Sequence, residues 1–164
     1  MPQDPSPQEE QQHTLILGVG NTLYGDDGLG VRVAELLAQE RLPAGVVVEE
    51  AGLNGVDLVI KMEGWQRVIL IDAVQMGAKP GTWRRFKPEE VQLMAEEQGL
   101  SLHEGGIASA LELAQALGKL PGEIVIYGVE PEVLEVREGL SSSVQAAIPE
   151  LTQHILEEIW KRER

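Results

Sequence analysis

The stretch at residues 18–30, GVGNTLYGDDGLG, combines the glycines of a phosphate-binding loop with two adjacent aspartates, Asp26 and Asp27. A dinucleotide-binding loop requires G-x-G-x-x-G, but the glycine that follows Gly18 and Gly20 falls outside that spacing. A P-loop requires a lysine and a hydroxyl residue after its last glycine, where this chain has the aspartates. Because two carboxylates repel a phosphate unless a cation lies between them, the loop favours cation binding over anion binding.

A simpler interpretation of the two aspartates is helix capping. Apolar residues at helical spacing follow the loop, so a helix begins near Gly28. Aspartate is among the best N-cap residues, and its charge suits the positive end of the helix dipole. One aspartate is enough for capping, so this interpretation accounts for Asp26 or Asp27 but not for both.

A third carboxylate follows a buried strand. The run VILID ends in Asp72, and an ionised side chain in that position must emerge from the core at the edge of the sheet. If the strand order is 2-1-3, the ends of the first and third strands are neighbours, and Asp27 and Asp72 converge there. An aspartate that only begins a turn is the alternative.

One histidine completes a possible metal site. His103, in SLHEGGI, comes immediately before a helix that begins at an edge of the sheet. A lone histidine is more often a surface or capping residue than a ligand. Together with Asp27 and Asp72, however, it forms a credible ligand set for a divalent metal with open coordination positions. The other histidines are poorer candidates, since His13 adjoins the polar start of the chain and His154 lies off the apolar stripe of the last helix.

These residues must be positioned by alternating strands and helices. Residues 1–13 are rich in Pro, Gln and Glu, which predicts a disordered tail, and residues 14–164 are predicted to form a single domain. Apolar runs predict strands at TLILGV, GVVVEE, RVILIDAV and EIVIYGVEP. GAKPGTWRRF predicts a turn that leads to an edge strand, because proline and glycine punctuate it and its paired arginines would be costly in a buried strand. Helices are predicted after residue 28, at GVDLVIKM, after residue 105, and from the serines at 141–143 onward.

Two of the predicted helices have clear apolar stripes. The helix after residue 105 places four apolar residues on one face, which are Ile107, Leu111, Ala114 and Leu117. The last helix has a stripe of five, which are Val144, Ile148, Leu151, Ile155 and Ile159, and Pro149 is expected to kink or break it. The alternation predicts an α/β fold, a three-layer α/β/α sandwich with a twisted, mainly parallel five-stranded sheet.

The composition argues against several classes of partner and of active site. The net charge is -14, which disfavours binding to nucleic acid or to an anionic membrane and is compatible with a monomer. The chain has no cysteine, which excludes disulfides, thiolate metal sites and a cysteine nucleophile. No segment has the length and apolar character of a signal peptide or a membrane span, so we expect a cytoplasmic protein.

The motifs resemble a known family in their order and spacing. LILGVGNTLYGDDGLGVRVAELL, VILIDAVQMGAKPG, SLHEGGIASALELAQALGKLP and IVIYGVEP are similar to segments of the nickel–iron hydrogenase maturation proteases, over about residues 15–160. The resemblance implies a twisted, largely parallel sheet flanked by helices. It also implies that Asp27, Asp72 and His103 contact the metal. The implied activity is that of an endopeptidase that recognises nickel in the large-subunit precursor and removes its C-terminal extension.

The implied nickel belongs to the substrate, and no organic cofactor is expected. Hydrolysis would use a water activated by nickel or by a carboxylate base, Asp26 or Asp27, so Asp26 joins the metal-contacting residues as a candidate catalytic residue. Two alternatives stay open. A nickel-sensing protein that does not cleave would use the same ligands, and a flavodoxin-like nucleotide binder would explain the fold and the glycines but not the adjacent aspartates.

Overall fold

Five strands form one sheet in a computed structural model that describes residues 13–52, 54–97 and 106–162. The spatial order is β2-β1-β3-β5-β4, so the predicted neighbourhood of the first three strands is confirmed. The first, second, third and fifth strands pair in parallel, and the fourth is an antiparallel edge strand. The strands are β1 Thr14–Val19, β2 Val46–Ala51, β3 Arg67–Ala73, β4 Trp83–Phe86 and β5 Glu123–Val129.

Helices cover both faces of this sheet, as the predicted three-layer sandwich requires. They are α1 Leu29–Ala38, α2 Gly55–Met62, α3 Pro88–Glu97, α4 Ile107–Ala116 and α5 Ser142–Arg162. The helices α1 and α5 pack on one face, and α2, α3 and α4 pack on the other.

The central strands are buried on both faces because their side chains alternate between two cores. In β1, Leu15 and Leu17 join the core beneath α2 and α4, whereas Ile16 joins the core beneath α1 and α5. All three side chains are fully buried. A parallel strand covered on both sides needs apolar residues at every position, which is why TLILGV and RVILIDA read as unbroken apolar runs.

Three details of the helices differ from the prediction. The last helix is continuous through Pro149, so a break there is wrong. Pro149 lies on the exposed face, where water can satisfy the carbonyl that loses its N–H partner, while all five residues of the predicted apolar stripe are buried. Leu117 is also wrong as a core residue, because it follows the end of α4 and is 54% exposed. The helix α3 was not predicted.

The ends of the predicted domain are described only in part. Residues 1–12 of the predicted tail lie outside the described residues, while the backbone N–H of His13 donates a hydrogen bond to the carbonyl of Gly45, 2.9 Å away. His154 is exposed as predicted, and its ring lies 4.9 Å from that of Trp83 on the edge strand. Among the described helices, none is both long and apolar enough to cross a membrane.

Candidate active site

An open cleft of about 660 Å³ lies at the carboxyl ends of β1 and β2. The loop after β1 contributes Asn21, Tyr24 and Asp27 to its lining, and the end of β2 contributes Glu50 and Gly52. Ligands of open α/β sheets bind outside the carboxyl ends of the strands, where the strand order reverses. The cleft lies at this carboxyl edge, on the β2 side of β1, next to the point between β1 and β3 where the strand order reverses. The carboxylates of Asp27 and Glu50 line it.

Glycines allow the loop and the start of α1 to lie against the strand ends. Gly20 has φ +142, a conformation that L side chains rarely adopt, and a Cβ there would overlap the carbonyl oxygen of Asp27. A Cβ on Gly30 would overlap the carbonyl oxygens of Val19 and Ile71. The glycines of the motif thus allow close backbone packing rather than phosphate binding. Because of this packing, Asp27 lies near the end of β3.

Asp27 and Asp72 form an electrostatically coupled pair. Asp27 lies in the short 3-10 turn Gly25–Gly28, and Asp72 is the penultimate residue of β3 and only 6% exposed. Burial and then the charge of Asp27 raise the pKa of Asp72 well above its ordinary value, against the N–H of Ala73, which donates to it at 2.8 Å. Burial also raises the pKa of Asp27, against a hydrogen bond of 2.9 Å from the N–H of Asn21.

This pair is the convergence that the strand order predicts. Two carboxylates that repel each other in a partly buried site cost free energy unless they share a proton or bind a cation. Within the described residues, no lysine or arginine contributes to the pKa shift of either group. The arrangement is therefore chemically suited to a divalent cation with oxygen ligands.

Asp26, in contrast, is turned away from the cleft into the protein. It is fully buried, and its carboxylate accepts hydrogen bonds from the N–H groups of Glu132 and Val133, both at 2.8 Å. It also accepts bonds from the N–H of Ser141 at 2.7 Å and from the hydroxyl of Ser141 at 2.8 Å. Burial alone would raise the pKa of Asp26, but these hydrogen bonds outweigh it and lower the pKa.

The structure thus separates the two adjacent aspartates by environment. Asp26 is fully buried with four donors on its oxygens and does not line the cleft, so the structure brings Asp27 and Asp72 together there without Asp26. The capping interpretation is not supported either, because neither the 3-10 turn nor α1 has a side-chain hydrogen bond at its N-cap. α1 begins directly after the 3-10 turn, and Asp27 instead accepts from the N–H of Asn21 and lines the cleft.

The third predicted ligand, His103, lies outside the described residues. Over residues 13–52, 54–97 and 106–162, no group of three or more His, Asp or Glu side chains could hold a metal ion. The assignment of Asp27, Asp72 and His103 as metal ligands therefore remains a prediction, of which the structure shows only the proximity of the two aspartates.

Sequence reasoning overlooked Glu50, a further carboxylate of the cleft. It is exposed and is the penultimate residue of β2. The signal was available, since β2 pairs with β1 and its carboxyl end must lie beside the loop that carries Asp27. Glu50 makes the cleft more acidic and is a second candidate base.

Comparisons with known proteins agree with this fold. The family model for hydrogenase maturation proteases matches residues 31–158. The hydrogenase 2 maturation protease of Escherichia coli (strain K12) is 35% identical over 140-odd aligned positions covering 87% of each chain. The hydrogenase expression/formation protein HoxM of Azotobacter vinelandii is 37% identical, over 82% of this chain and 68% of its own.

A solved structure supports the same conclusion. The hydrogenase maturating endopeptidase HybD from E. coli superposes with a TM-score of 0.76 at 30% identity, covering 92% of this chain and 93% of that one. Fold and site define an open α/β protein with an acidic cleft at the carboxyl edge of its sheet. The chain belongs to the hydrogenase maturation protease family. It is accordingly a hydrolase of the endopeptidase class, which favours the predicted peptidase over the nickel sensor and the nucleotide binder.

Proposed function

We propose that this chain removes the C-terminal extension from a nickel-loaded precursor of a [NiFe]-hydrogenase large subunit. The observation that carries the proposal is the electrostatic coupling between the buried Asp72 and Asp27, which lines an open cleft. The names of the relatives support the process, since they are hydrogenase maturation proteases and a maturating endopeptidase. The resemblance of the motifs supports the large subunit as the substrate.

Nickel enters this proposal as part of the substrate. Each carboxylate has a raised pKa because burial and mutual repulsion disfavour its charge, and a divalent cation removes both penalties at once. An open cleft admits a metal that arrives already bound to another protein. Asp27 and Asp72 would complete the coordination of that metal, with His103 as the third ligand from this chain.

Such a site discriminates between loaded and empty precursors. Docking of an empty precursor would desolvate the two carboxylates further while leaving their repulsion uncompensated. Docking of a loaded precursor replaces that penalty with metal–oxygen bonds. The same two residues therefore favour the correct substrate and disfavour the wrong one, so nickel insertion must precede cleavage.

Hydrolysis requires a base that can reach a water beside the scissile peptide. Asp27 lines the cleft, so its carboxylate is placed to accept a proton from such a water. The carboxylate would take a proton from the water, the water oxygen would add to the scissile carbonyl, and the same proton would pass to the leaving amine. Glu50 is the second candidate base because it lines the same cleft.

The proposal is tested by intact-mass measurement of large-subunit precursor, nickel-loaded and nickel-free, after incubation with the protein. We expect loss of a C-terminal peptide from the loaded precursor only. Asp27→Asn should lower the cleavage rate by at least about a hundredfold, as is usual for loss of a general base. Asp57→Asn, which alters an exposed aspartate on α2, should cleave like the wild type.

Binding of the loaded precursor without any mass change would show that the carboxylates only sense the metal. Equal cleavage of loaded and empty precursor would contradict nickel recognition. We further propose a monomer in the cytoplasm with no nucleic-acid partner, supported by the net charge of -14 and the absence of cysteine from the sequence. Size-exclusion chromatography with light scattering and cell fractionation test these two points.

A further inference from the structure

Two loops that are distant in the sequence form one rim beside the cleft. The first is residues 21–25, after β1, and the second is residues 131–141, between β5 and α5. Tyr24 and Arg137 form an isolated parallel bridge between the loops. The N–H of Arg137 donates to the carbonyl of Leu23 at 3.1 Å, and the N–H of Gly25 donates to the carbonyl of Arg137 at 2.9 Å.

The carboxylate of Asp26 fixes this pairing from beneath. Its four hydrogen bonds reach both ends of the second loop, at residues 132–133 and at Ser141. The backbone N–H of Asp26 adds a fifth bond, to the carbonyl of Val133 at 2.8 Å. A loop of about ten residues would ordinarily be mobile, but here the buried anion holds its two ends against the loop that carries Asp27.

The rim exposes large apolar side chains. Leu23 is 57% exposed, Tyr24 42% and Val136 88%, the highest exposure of any large apolar side chain in the described residues. Because the bridge is parallel, Leu23 lies beside Val136, one residue before the paired positions. Scattered exposed apolar residues need no explanation, but an adjacent group held rigidly next to a cleft is typical of an interaction site.

We propose that this rim, formed by Leu23, Tyr24 and Val136, is the docking surface for an apolar segment of the large-subunit precursor that is flanked by basic residues. The apolar part of the segment follows from the three side chains. The basic part follows from Glu135 and Glu138, which are exposed on either side of Val136 and outnumber the one exposed cation beside them, Arg137. The rim is continuous with the cleft, because Tyr24 lines both. The identity of the occupant rests on the proposed function.

The rim and the carboxylate pair recognise different parts of the substrate. Asp27 and Asp72 respond to the metal, whereas the rim contacts polypeptide whether or not metal is present. A rim contact made equally in the ground state and in the transition state changes KM and leaves kcat nearly constant. This split distinguishes a docking residue from a catalytic one.

The test measures the dissociation constant of the protein for large-subunit precursor, loaded and empty, with Leu23→Ser and Val136→Ser. The matched control is Leu117→Ser, because Leu117 is 54% exposed and follows α4 at the opposite, amino-terminal end of β5. Each rim variant should weaken binding of both precursors roughly tenfold, as expected for loss of one buried aliphatic contact. The control should bind like the wild type.

Cleavage kinetics provide the second measurement. The rim variants should raise KM by a similar factor with kcat within about twofold of the wild type. Unchanged binding by both rim variants would overturn the proposal, as would equal weakening by Leu117→Ser. If the wild type binds precursor without cleaving it, the proposed function fails while the binding ratios still decide the rim. If the wild type binds no precursor, the rim proposal fails as well.

Discussion

Replacement of Asp26 by asparagine tests the role that the structure gives to the buried aspartate. The substitution preserves size and removes the charge. Oδ2 of Asp26 accepts three hydrogen bonds, from the N–H groups of Glu132 and Val133 and from the hydroxyl of Ser141, and Oδ1 accepts one from the N–H of Ser141. An asparagine side chain has one oxygen and one NH₂ group, so it cannot accept at both sites.

The expected loss of stability follows from this count. If the amide oxygen takes the position of Oδ2, the NH₂ group faces the N–H of Ser141 and leaves a buried donor unsatisfied, at a cost of about 1–3 kcal/mol. The remaining three bonds change from charge-assisted to neutral and become roughly half as strong. The free energy of unfolding should fall by about 3–5 kcal/mol in total. For a domain of this length the melting temperature should drop by roughly 10 °C.

Calorimetry of wild-type protein and Asp26→Asn at about pH 7 measures this difference. Ser141→Ala removes the hydroxyl that donates to Asp26 and also accepts from the N–H of Val144 at the start of α5. It should lie between them, with a loss of about 1–2 kcal/mol. Asp57→Asn is the control for removal of an exposed aspartate. A melting temperature of Asp26→Asn within about 2 °C of the wild type would refute the inference that this carboxylate holds the two loops together.

Three further substitutions test other parts of the site. Asp72→Asn should raise the melting temperature at about pH 8 and abolish cleavage. The pKa of Asp72 in the folded protein lies above its ordinary 3.8, so its protonated form stabilises the fold fully below pH 3.8 and this contribution is lost as pH rises through the folded pKa. Melting temperatures measured over a range of pH should therefore show the higher stability of Asp72→Asn disappear in acid. Gly30→Ala should lower the free energy of unfolding in denaturant titrations by about 1–3 kcal/mol, since its Cβ would overlap the carbonyl oxygens of Val19 and Ile71, and an unchanged midpoint would contradict that packing. His103→Ala should abolish processing in the intact-mass assay with unchanged circular dichroism, and cleavage near the wild-type rate would remove His103 from the site.

The convergence of Asp27 and Asp72 could be predicted because it depends on strand order alone. An unbroken apolar run marks each central strand, and the carboxyl ends of adjacent parallel strands must meet. The buried face of α5 could also be predicted, because its five apolar residues recur at helical spacing and all five are buried. The continuity of α5 through Pro149 could not be predicted. The free-energy cost of one proline is offset by apolar burial along the whole helix, and the residues next to the proline do not reveal that total.

The different roles of the adjacent aspartates could not be predicted. Asp26 and Asp27 share every local feature, and the partners of Asp26 lie 106 to 115 residues further along the chain. Only the folded position of the loop after β5 decides which carboxylate is satisfied internally and which is left for the cleft. The rim was beyond sequence reasoning for the same reason, since Leu23 and Val136 become neighbours through a single bridge.

The central claim is that Asp27 and Asp72 together detect nickel in the substrate. The most direct measurement is the ratio of dissociation constants for nickel-free and nickel-loaded precursor, compared between the wild type and the Asp27→Asn/Asp72→Asn double variant. We predict a ratio of roughly a hundred or more for the wild type, equivalent to about 2.7 kcal/mol, that collapses towards one in the double variant. The empty precursor should bind the double variant at least as tightly as the wild type, because the repulsion is gone. An equal ratio in both proteins would contradict the claim and place nickel recognition elsewhere in the molecule.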